Sequence, residues 1–457
     1  MKLTFGISDK PKLPQLIVFA IQQLLAIMAA TLVVPIIIEG ATGIPLSPAA
    51  ALFGAGIGTL VYIFFTKGKS PVFLGSSFAF INSMIAATAG VTTVALGYLG
   101  LVLGAIMAGL VYVVIAIVVK FAGVNWLNKL MPTVVIGPTV AIIGLSLAGT
   151  AIGDTQAGEV YADGVAVASP LICIFIAVIT LIAITVASTY GKKMAKLIPF
   201  IIGIGCGYAV AAIFTVIGNV AGIDALKVID FSYFSALLPD GKVALSTFFT
   251  VPQFIGFKAL GAFGGLNGAY LGTLAAAYIP VAFVVFAEHI ADHKNISSII
   301  EKDLLEDPGL SRTLLGDGVG SIAGAFFGAC PNTTYGESVA CVAITGNASV
   351  ATIFATAIGA ILISFLSPFV AIVNSIPPCV MGGVCIALYG FIAVSGLKMI
   401  QKVDLEENRN LFVVSTILIC GIGGLTLNFG QITITSIATA LILGIIVNTV
   451  LSRKEKN

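Results

Sequence analysis

Long apolar segments recur along the whole chain, and about 20 consecutive apolar residues are what an α-helix needs to cross a lipid bilayer. Of the 457 residues, 58% are hydrophobic and only 9% are charged, whereas soluble domains carry about 25% charged residues. A soluble fold is excluded, because its water-facing shell requires more charge. We therefore expect an all-α polytopic membrane protein. Hydropathy predicts fourteen spans, at residues 15–37, 47–66, 70–87, 95–120, 126–150, 169–190, 197–217, 268–292, 312–328, 331–346, 349–372, 377–397, 410–425 and 431–451.

The basic residues predict the orientation of these spans. With the N-terminus inside, nineteen of the 22 basic residues fall in cytoplasmic loops or tails. The other three, Lys227, Lys242 and Lys258, lie in one long external segment, where the positive-inside rule is weak. We expect a multi-pass protein of the cell membrane with both termini cytoplasmic. The basic residues are scattered over loop ends, so the net charge of +2 indicates no nucleic-acid partner.

Residues 218–267 divide the chain into two sets of seven spans, the first within residues 1–217 and the second within residues 268–457. An odd number of spans per half places the halves in opposite orientations. Transporters built from inverted repeats have this arrangement, and they often bind substrate where matched helices are interrupted. An amphipathic surface helix is one structure that the linking segment could hold.

The third span of each half is a poor helix. The first reads SPVFLGSSFAF (Ser70–Phe80) and the second reads CPNTTYGES (Cys330–Ser338). Each contains Pro, an extended stretch and then Gly, and such backbone is tolerated at membrane depth only beside protein or a polar cavity. We expect short strands near 72–74 and 333–335 to cross at mid-membrane, so that two helix N-termini direct free N–H groups at one point. Two kinks without a ligand are the alternative.

Ionisable residues within spans are costly and usually functional. Glu288 and Asp292 are four residues apart near the end of the eighth span, so they share one helix face. Glu337 stands at the start of the second interrupted helix. Asp292 could instead be the polar end of its helix, because Lys294 follows soon after. His289 points to another face, and we expect it to be structural.

Several stretches resemble the bacterial uracil permeases of the nucleobase–ascorbate transporter family. They are GSSFAFI (Gly75–Ile81), AEHI (Ala287–Ile290), KDLLEDPGL (Lys302–Leu310), PNTTYGES (Pro331–Ser338) and MGG (Met381–Gly383). The most specific is PNTTYGE, with Thr345 eight residues beyond Glu337. The resemblance runs from the first span to the last. It implies a seven-plus-seven inverted repeat, with a core domain (about 15–121 and 268–372) and a gate domain (about 126–217 and 377–451).

The same resemblance implies a function and a site. It implies a secondary active transporter, not an enzyme, that imports uracil by proton symport and needs no cofactor or metal. A homodimer is one assembly that such a transporter could form. Proton coupling is assigned to Glu288 and Asp292, although uracil permeases can have His where Asp292 stands. The substrate-binding residues that the resemblance implies are Glu288, Glu337, Tyr335, Tyr389 and the backbone amides of Phe78 and Gly336.

Hydrogen-bonding chemistry agrees with this assignment. Uracil carries two N–H donors and two carbonyl acceptors in a flat ring. Carboxylates accept from the N–H groups, while amides at helix N-termini donate to the carbonyl oxygens. Neutral uracil brings no charge to compensate a buried carboxylate, so we expect a proton to travel with the base.

Four other functions compete with this interpretation. A xanthine or urate permease of the same family is disfavoured by PNTTYGE, and by Gln22-Gln23 where xanthine-type relatives have Gln-His. A sulfate-permease-like anion transporter is disfavoured because Glu337 would repel an anion. A channel would need a repeated polar face, which the spans lack. A membrane-embedded metal enzyme would use His289 and His293, four residues apart, with Glu288 or Asp292 as a further ligand.

Overall fold

The computed structural model describes residues 3–123, 131–162, 165–192, 194–429 and 432–452. Most of these residues are helical. The helices of the first half are α1 (Leu13–Thr42), α2 (Pro48–Phe65), α3 (Ile81–Thr88), α4 (Val94–Ala122), α5 (Thr133–Ser146), α6 (Ala148–Asp154), α7 (Pro170–Tyr190), α8 (Met194–Leu197) and α9 (Pro199–Ala221). The linking segment holds three short helices, α10 (Ser232–Ser235), α11 (Leu245–Phe248) and α12 (Ile255–Ala259), with 3-10 turns at Asp224–Leu226, Pro239–Gly241 and Leu260–Gly265.

The second half begins with a 33-residue helix, α13 (Gly268–Ile300). A short π-helical turn (Leu305–Gly309) leads from it to the next helix. The remaining helices are α14 (Leu310–Gly328), α15 (Gly336–Thr345), α16 (Val350–Ile363), α17 (Ser367–Asn374), α18 (Pro378–Ile400), α19 (Asn408–Ile422) and α20 (Ser436–Ser452).

Among the described residues, eight helical segments are long and apolar enough to cross a membrane. They are α1, α2, α4, α5 with α6, α7, α9, α13 and α18. Five shorter apolar helices accompany them: Phe78–Thr88, α15, α16, α19 and α20. The chain is therefore a multi-pass membrane protein, and the count of fourteen spans stays a prediction. So does the orientation, part of which rests on residues outside the described ranges (Lys2, Lys129, Lys193, Arg453, Lys454 and Lys456).

Two helices end at positions other than the predicted span boundaries. The eighth span was expected to end at residue 292, but α13 continues to Ile300 because its apolar positions recur through Ile296 and Ile300, both of which are buried. The span expected at 349–372 is interrupted between α16 and α17, where residues 364–366 leave the helix and Ser367, followed by Pro368, begins the next one.

Strands modify the expected all-α fold. A strand β1 (Leu74–Ser76) pairs antiparallel with β4 (Asn332–Thr334), with Leu74 opposite Thr334 and Ser76 opposite Asn332. These strands lie within two residues of the positions that the sequence predicts. Two further antiparallel pairs, which the sequence did not predict, are β2 (Tyr161–Ala162) with β3 (Val165–Ala166) and β5 (Leu427–Phe429) with β6 (Ile432–Ile434).

Helix α2 and helix α14 hold the crossing strands from both sides. The Thr59 hydroxyl of α2 accepts from the Leu74 amide at 2.9 Å, and the Asn332 amide donates to the Ser321 hydroxyl of α14 at 3.0 Å. The two helices approach closely at Gly54, where an added Cβ would collide with the carbonyl oxygen of Gly324. Small residues at such contacts let membrane helices pack backbone to backbone, and the strands are thereby enclosed.

The helices pack in two sets. In one set, α2 packs against α14, α16 and α1, while α4 packs against α13 and α14. In the other set, α18 packs against α5 and α7, α9 packs against α7, and α19 packs against α5 and α20. The strand pair and the short helices that follow it, α3 and α15, belong to the first set. The boundaries of a core domain and a gate domain stay a prediction.

Candidate functional site

A cavity of about 470 Å³ lies beside the crossing of β1 and β4. The loop and helix starts after these strands form part of its wall, and α13 forms another part. Helices α5, α9 and α18 close the opposite side. The polar and charged residues that line it are Ser77, Lys196, Glu288, Asp292, Asn295, Thr333, Thr334, Glu337 and Ser395, with the Tyr335 ring beside them.

The three carboxylates predicted from the sequence all line this cavity. Glu288 and Asp292 lie one turn apart on α13, and Glu337 is the second residue of α15. Thr334 of β4 donates from its hydroxyl to Asp292 Oδ2 at 2.8 Å. Because α13 continues two turns beyond Asp292, the interpretation of Asp292 as the polar end of its helix is wrong. The carboxylates present several hydrogen-bond acceptors to one enclosed space.

Two helix N-termini face the same cavity. Phe78 is the first residue of a 3-10 helix (Phe78–Phe80) that leads into α3, and Gly336 is the first residue of α15. Both residues line the cavity. Amides at the start of a helix have no acceptor within the helix, so they are available to a bound group. The site therefore combines amide donors with carboxylate acceptors.

Tyr335 supports the strand crossing as well as the cavity. Its hydroxyl donates to the Ser76 carbonyl oxygen at 2.8 Å, and its amide donates to the Phe73 carbonyl oxygen at 3.2 Å. The side chain is 3% exposed. Because the hydroxyl is already engaged with β1, Tyr335 offers a ligand its ring and backbone.

Tyr389 lies next to the cavity and is not one of its lining residues. It is 3% exposed, and its ring meets the Phe78 ring edge to face with the centroids 6.2 Å apart. Such a pair fixes the orientation of the Phe78 ring. The wall on this side is apolar, and its residues are Ile136, Val140, Ile143, Leu388, Phe391 and Ile392.

Sequence reasoning missed several polar residues of the cavity. Thr333 and Thr334 lie within PNTTYGES, and Ser77 lies within GSSFAFI, so the signal was present in motifs already singled out. Asn295 lines the cavity because α13 extends past its predicted end. Lys196 belongs to the short helix α8, and the sequence assigned it only to the basic cytoplasmic set.

Helix α1 reaches the second interrupted helix through one buried amide. Gln23 Nε2 donates to the Ser338 hydroxyl at 2.6 Å, and Ser338 in turn accepts from the Phe73 amide at 3.1 Å. Gln23 is 3% exposed. The second residue of the Gln22-Gln23 pair therefore positions α15 against the strand crossing.

The two histidines of α13 form a buried network behind the cavity. His289 pairs through Nδ1 with Asp317 Oδ2 at 2.7 Å and through Nε2 with the Thr313 hydroxyl at 3.0 Å. His293 pairs through Nε2 with the Tyr62 hydroxyl at 2.6 Å and through Nδ1 with the His289 carbonyl oxygen at 2.8 Å. All four ring nitrogens are thus occupied. Within the described ranges, no three His, Cys, Asp or Glu residues are grouped as metal ligands.

The family of the chain follows from comparison with known proteins. A family model described as "Permease family" matches residues 14–430. The uracil permease of Bacillus caldolyticus is 37% identical over 98% of this chain and 95% of its own length. The uracil permease of Bacillus subtilis is 36% identical over 100% of this chain and 97% of its own length. That of Escherichia coli K12 is 37% identical over 96% and 92%.

Solved structures share the fold at low sequence identity. The transmembrane domain of the cyanobacterial bicarbonate transporter BicA matches with a TM-score of 0.62 at 14% identity, over 97% of this chain and 100% of that domain. Murine solute carrier 26 family member A9, an anion transporter in the inward-facing state, matches with a TM-score of 0.61 at 13% identity, over 98% of this chain and 69% of that protein. These matches show a transporter fold. The chain belongs to the permease family, in the nucleobase–ascorbate group that its motifs resemble, and it is a multi-pass membrane transporter and not an enzyme.

Proposed function

We propose that this permease carries uracil into the cell and couples its movement to protons. The observation that carries the proposal is the meeting of Glu288, Asp292 and Glu337 with the helix starts at Phe78 and Gly336 in one cavity. Full-length relatives named uracil permeases, at 36–37% identity, support the choice of base.

The hydrogen-bond donors and acceptors of the site match those of uracil in type and in number. Two carboxylates, Glu288 and Glu337, accept hydrogen bonds from the two ring N–H groups. The Phe78 and Gly336 amides donate to the two carbonyl oxygens. The apolar wall and the Phe78 ring cover the faces of a flat heterocycle. Most small-molecule sites combine apolar walls with a few oriented polar groups in this way.

The cavity opens to the cytoplasm in this proposal. Its solvent-exposed charged residue, Lys196, belongs to the basic set that the positive-inside rule places in the cytoplasm. The described lining residues include none from the segments predicted to be external, 151–168 and 218–267. The two helix sets then correspond to a core domain carrying the base and a gate domain providing the apolar wall, as inverted-repeat transporters require.

Asp292 is the proposed proton carrier, together with Glu288. It lies in the cavity, one helical turn from Glu288, and its Oδ2 accepts a hydrogen bond from Thr334 of the strand crossing. An ionisable group placed in this way can exchange a proton with the cavity water while remaining linked to the substrate-binding segment. Uracil and a proton would therefore enter the site together.

Uptake into proteoliposomes tests the substrate. Purified protein should accumulate labelled uracil when the outside is acidic, and excess unlabelled uracil should abolish the signal. Xanthine and sulfate should compete poorly, because a purine exceeds the proposed ring contacts and an anion meets three carboxylates. Equal competition by xanthine would contradict the pyrimidine assignment and indicate a purine permease.

The Asp292→Asn variant tests the coupling. It should bind uracil and exchange internal for external uracil close to the wild-type rate, because the amide retains an oxygen that accepts from Thr334. It should lose accumulation driven by a pH gradient, because an amide does not titrate. The matched control is Asp303→Asn, a solvent-exposed loop residue, which should transport normally. Normal accumulation by Asp292→Asn would leave Glu288 as the proton carrier.

A further inference from the structure

The linking segment divides into two halves of opposite composition. Residues 224–242, the charged half, contain five charged residues, whereas residues 243–265, the apolar half, contain one, Lys258. The apolar half includes α11 and α12, which have four and five residues. These helices are too short to cross a bilayer, because a span needs about 20 residues. The apolar half is therefore hydrophobic like a membrane span without being one.

The inner face of the apolar half packs against the helix set that contains α2 and α14. The Phe254 ring meets the Phe53 ring of α2 with the centroids 4.7 Å apart. Helix α12 packs against α4 and α14, and its Ile255 and Ala259 side chains are buried there. The apolar half is thus held in a defined place on the molecule, and its opposite face points away from the protein.

This outer face is apolar and uncovered. Leu245, Phe249, Val251 and Phe263 are between 53% and 77% exposed. The one charged side chain, Lys258, donates from Nζ to Gln253 Oε1 at 3.0 Å. Contiguous exposed apolar surface of this kind marks a contact with another protein or with a membrane.

The outer face adjoins a membrane helix, which favours lipid over protein as its occupant. The Thr250 amide donates to the Phe365 carbonyl oxygen at 2.9 Å, and Phe249 forms an isolated β-bridge with Leu366. Both partners directly follow α16, an apolar helix whose Leu362 side chain is 63% exposed. Exposed apolar side chains of a helix in a membrane protein face the acyl chains of the bilayer. The same lipid can cover Leu362 and the adjoining apolar half.

We propose that the apolar half is an interfacial segment that binds the lipid bilayer at its boundary with water. Its outer face contacts acyl chains, and Lys258 extends its amine towards the headgroups, as long basic side chains do at this depth. Non-helical backbone is excluded from lipid-exposed positions deep in the hydrocarbon, because its N–H and C=O groups would lack partners. The segment therefore lies shallow, about 5–10 Å into the boundary between headgroups and acyl chains. The charged half stays in water.

Depth-dependent quenching of tryptophan fluorescence tests this placement. The single tryptophan of the chain, Trp126, is first replaced by Phe. One tryptophan is then introduced as Phe249→Trp, Phe263→Trp or, as the control, Leu238→Trp, an exposed apolar residue of the charged half. Each variant is reconstituted into phosphatidylcholine bilayers with bromine near the headgroup end or near the terminal end of an acyl chain. Iodide in the water is the second quencher. All three sites are exposed, so each Tm should equal that of Trp126→Phe.

The two quenchers give distinct results for lipid, water and protein contact. Phe249→Trp and Phe263→Trp should lose most of their fluorescence to bromine near the headgroups, less to bromine near the chain ends, and little to iodide. Leu238→Trp should respond to iodide and not to bromine. Quenching of the first two variants by iodide alone would place the apolar half in water and overturn the proposal. Resistance to both quenchers would overturn it too, because a second copy of the chain or another protein would then cover this face.

Discussion

The two crossing segments, residues 74–88 and 332–345, share a backbone plan and differ in chemistry. Each is a three-residue buried strand followed by a helix that starts at the cavity. The first continues into a 3-10 helix that begins with Phe78, and it carries no ionisable residue. The second continues into α15, which carries Glu337 in its first turn. The two segments therefore share a common backbone frame, and one residue, Glu337, makes them unequal.

This inequality explains how the site can select a neutral ligand. Two helix N-termini that meet without a carboxylate would attract an anion. Glu337 stands in the first turn of the second of these helices, and Glu288 and Asp292 add two more carboxylates on α13. The frame still offers amide donors, and the carboxylates add acceptors. A flat neutral ring with both N–H and C=O groups satisfies both kinds of partner.

The largest expected effect comes from making the second segment as uncharged as the first. Glu337→Gln should weaken uracil binding about ten- to a hundredfold, because a hydrogen bond to a charged group contributes roughly 1.5–3 kcal/mol. Calorimetry on purified protein measures the change. The control is Glu306→Gln in the turn Leu305–Gly309, where the side chain is exposed and no change is expected. Retained affinity in Glu337→Gln would show that the two segments contribute equally and that the carboxylate is not a ligand.

The frame was predictable from sequence because its signals are local. Pro and Gly mark the interrupted spans at 70–80 and 330–338, and the strands lie within two residues of their expected positions. The ends of α13 and α16 were not predictable in the same way. Asp292 and His293 look like the polar end of a helix in sequence. In the structure, His293 pairs with the Tyr62 hydroxyl inside the protein, and α13 continues past both residues to Ile300.

The charged residues of the site were predictable from the sequence, and the neutral residues that line the cavity were less so. Glu288, Asp292 and Glu337 were singled out because charge within a span is costly, and the structure brings all three to one cavity. Neutral hydroxyls such as Ser77 give no such signal, since serine is common in membrane helices. Tyr389 illustrates the remaining difficulty: it packs against the Phe78 ring behind the wall, and the neighbouring Leu388 lines the cavity.

A second test compares the glycines of the two segments. An added Cβ at Gly75 of β1 would collide with the Tyr335 ring, whereas at Gly336 the nearest atom is Asp292 Oδ1 at 3.9 Å. Gly75→Ala should therefore destabilise the crossing by about 1–3 kcal/mol, the usual cost of overpacking. Gly336→Ala should fold normally. Thermal unfolding in detergent measures both variants.

The same two glycine variants separate an effect on the stability of the strand crossing from an effect on ligand binding. Gly75→Ala should lower the Tm and weaken uracil binding together, because the strand crossing positions both helix starts. Gly336→Ala should leave the Tm unchanged, and any loss of affinity would then come from the methyl group beside Asp292. A lower Tm for Gly336→Ala than for Gly75→Ala would contradict the close packing of β1 against Tyr335.

The smallest effect is expected from a carboxyl that belongs to neither segment, Glu159, in the loop before β2. Burial raises its pKa from an ordinary 4.5 to about 7, and the Tyr233 hydroxyl donates to it at 3.4 Å. The folded protein therefore binds a proton between pH 4.5 and 7 that the unfolded chain has released. The free energy of unfolding falls as pH rises through this window. Glu159→Gln should remove that slope and stabilise the protein above pH 7 by about 1 kcal/mol, given its partial exposure. Thermal unfolding of Glu159→Gln against Glu306→Gln at pH 5 and pH 8 measures this.

The same variant should leave uracil affinity at the wild-type value. Glu159 carries the same carboxyl group as Glu337, but it lies outside the two crossing segments. A loss of affinity in Glu159→Gln would mean that buried charge in general, and not a carboxylate at the start of α15, determines binding.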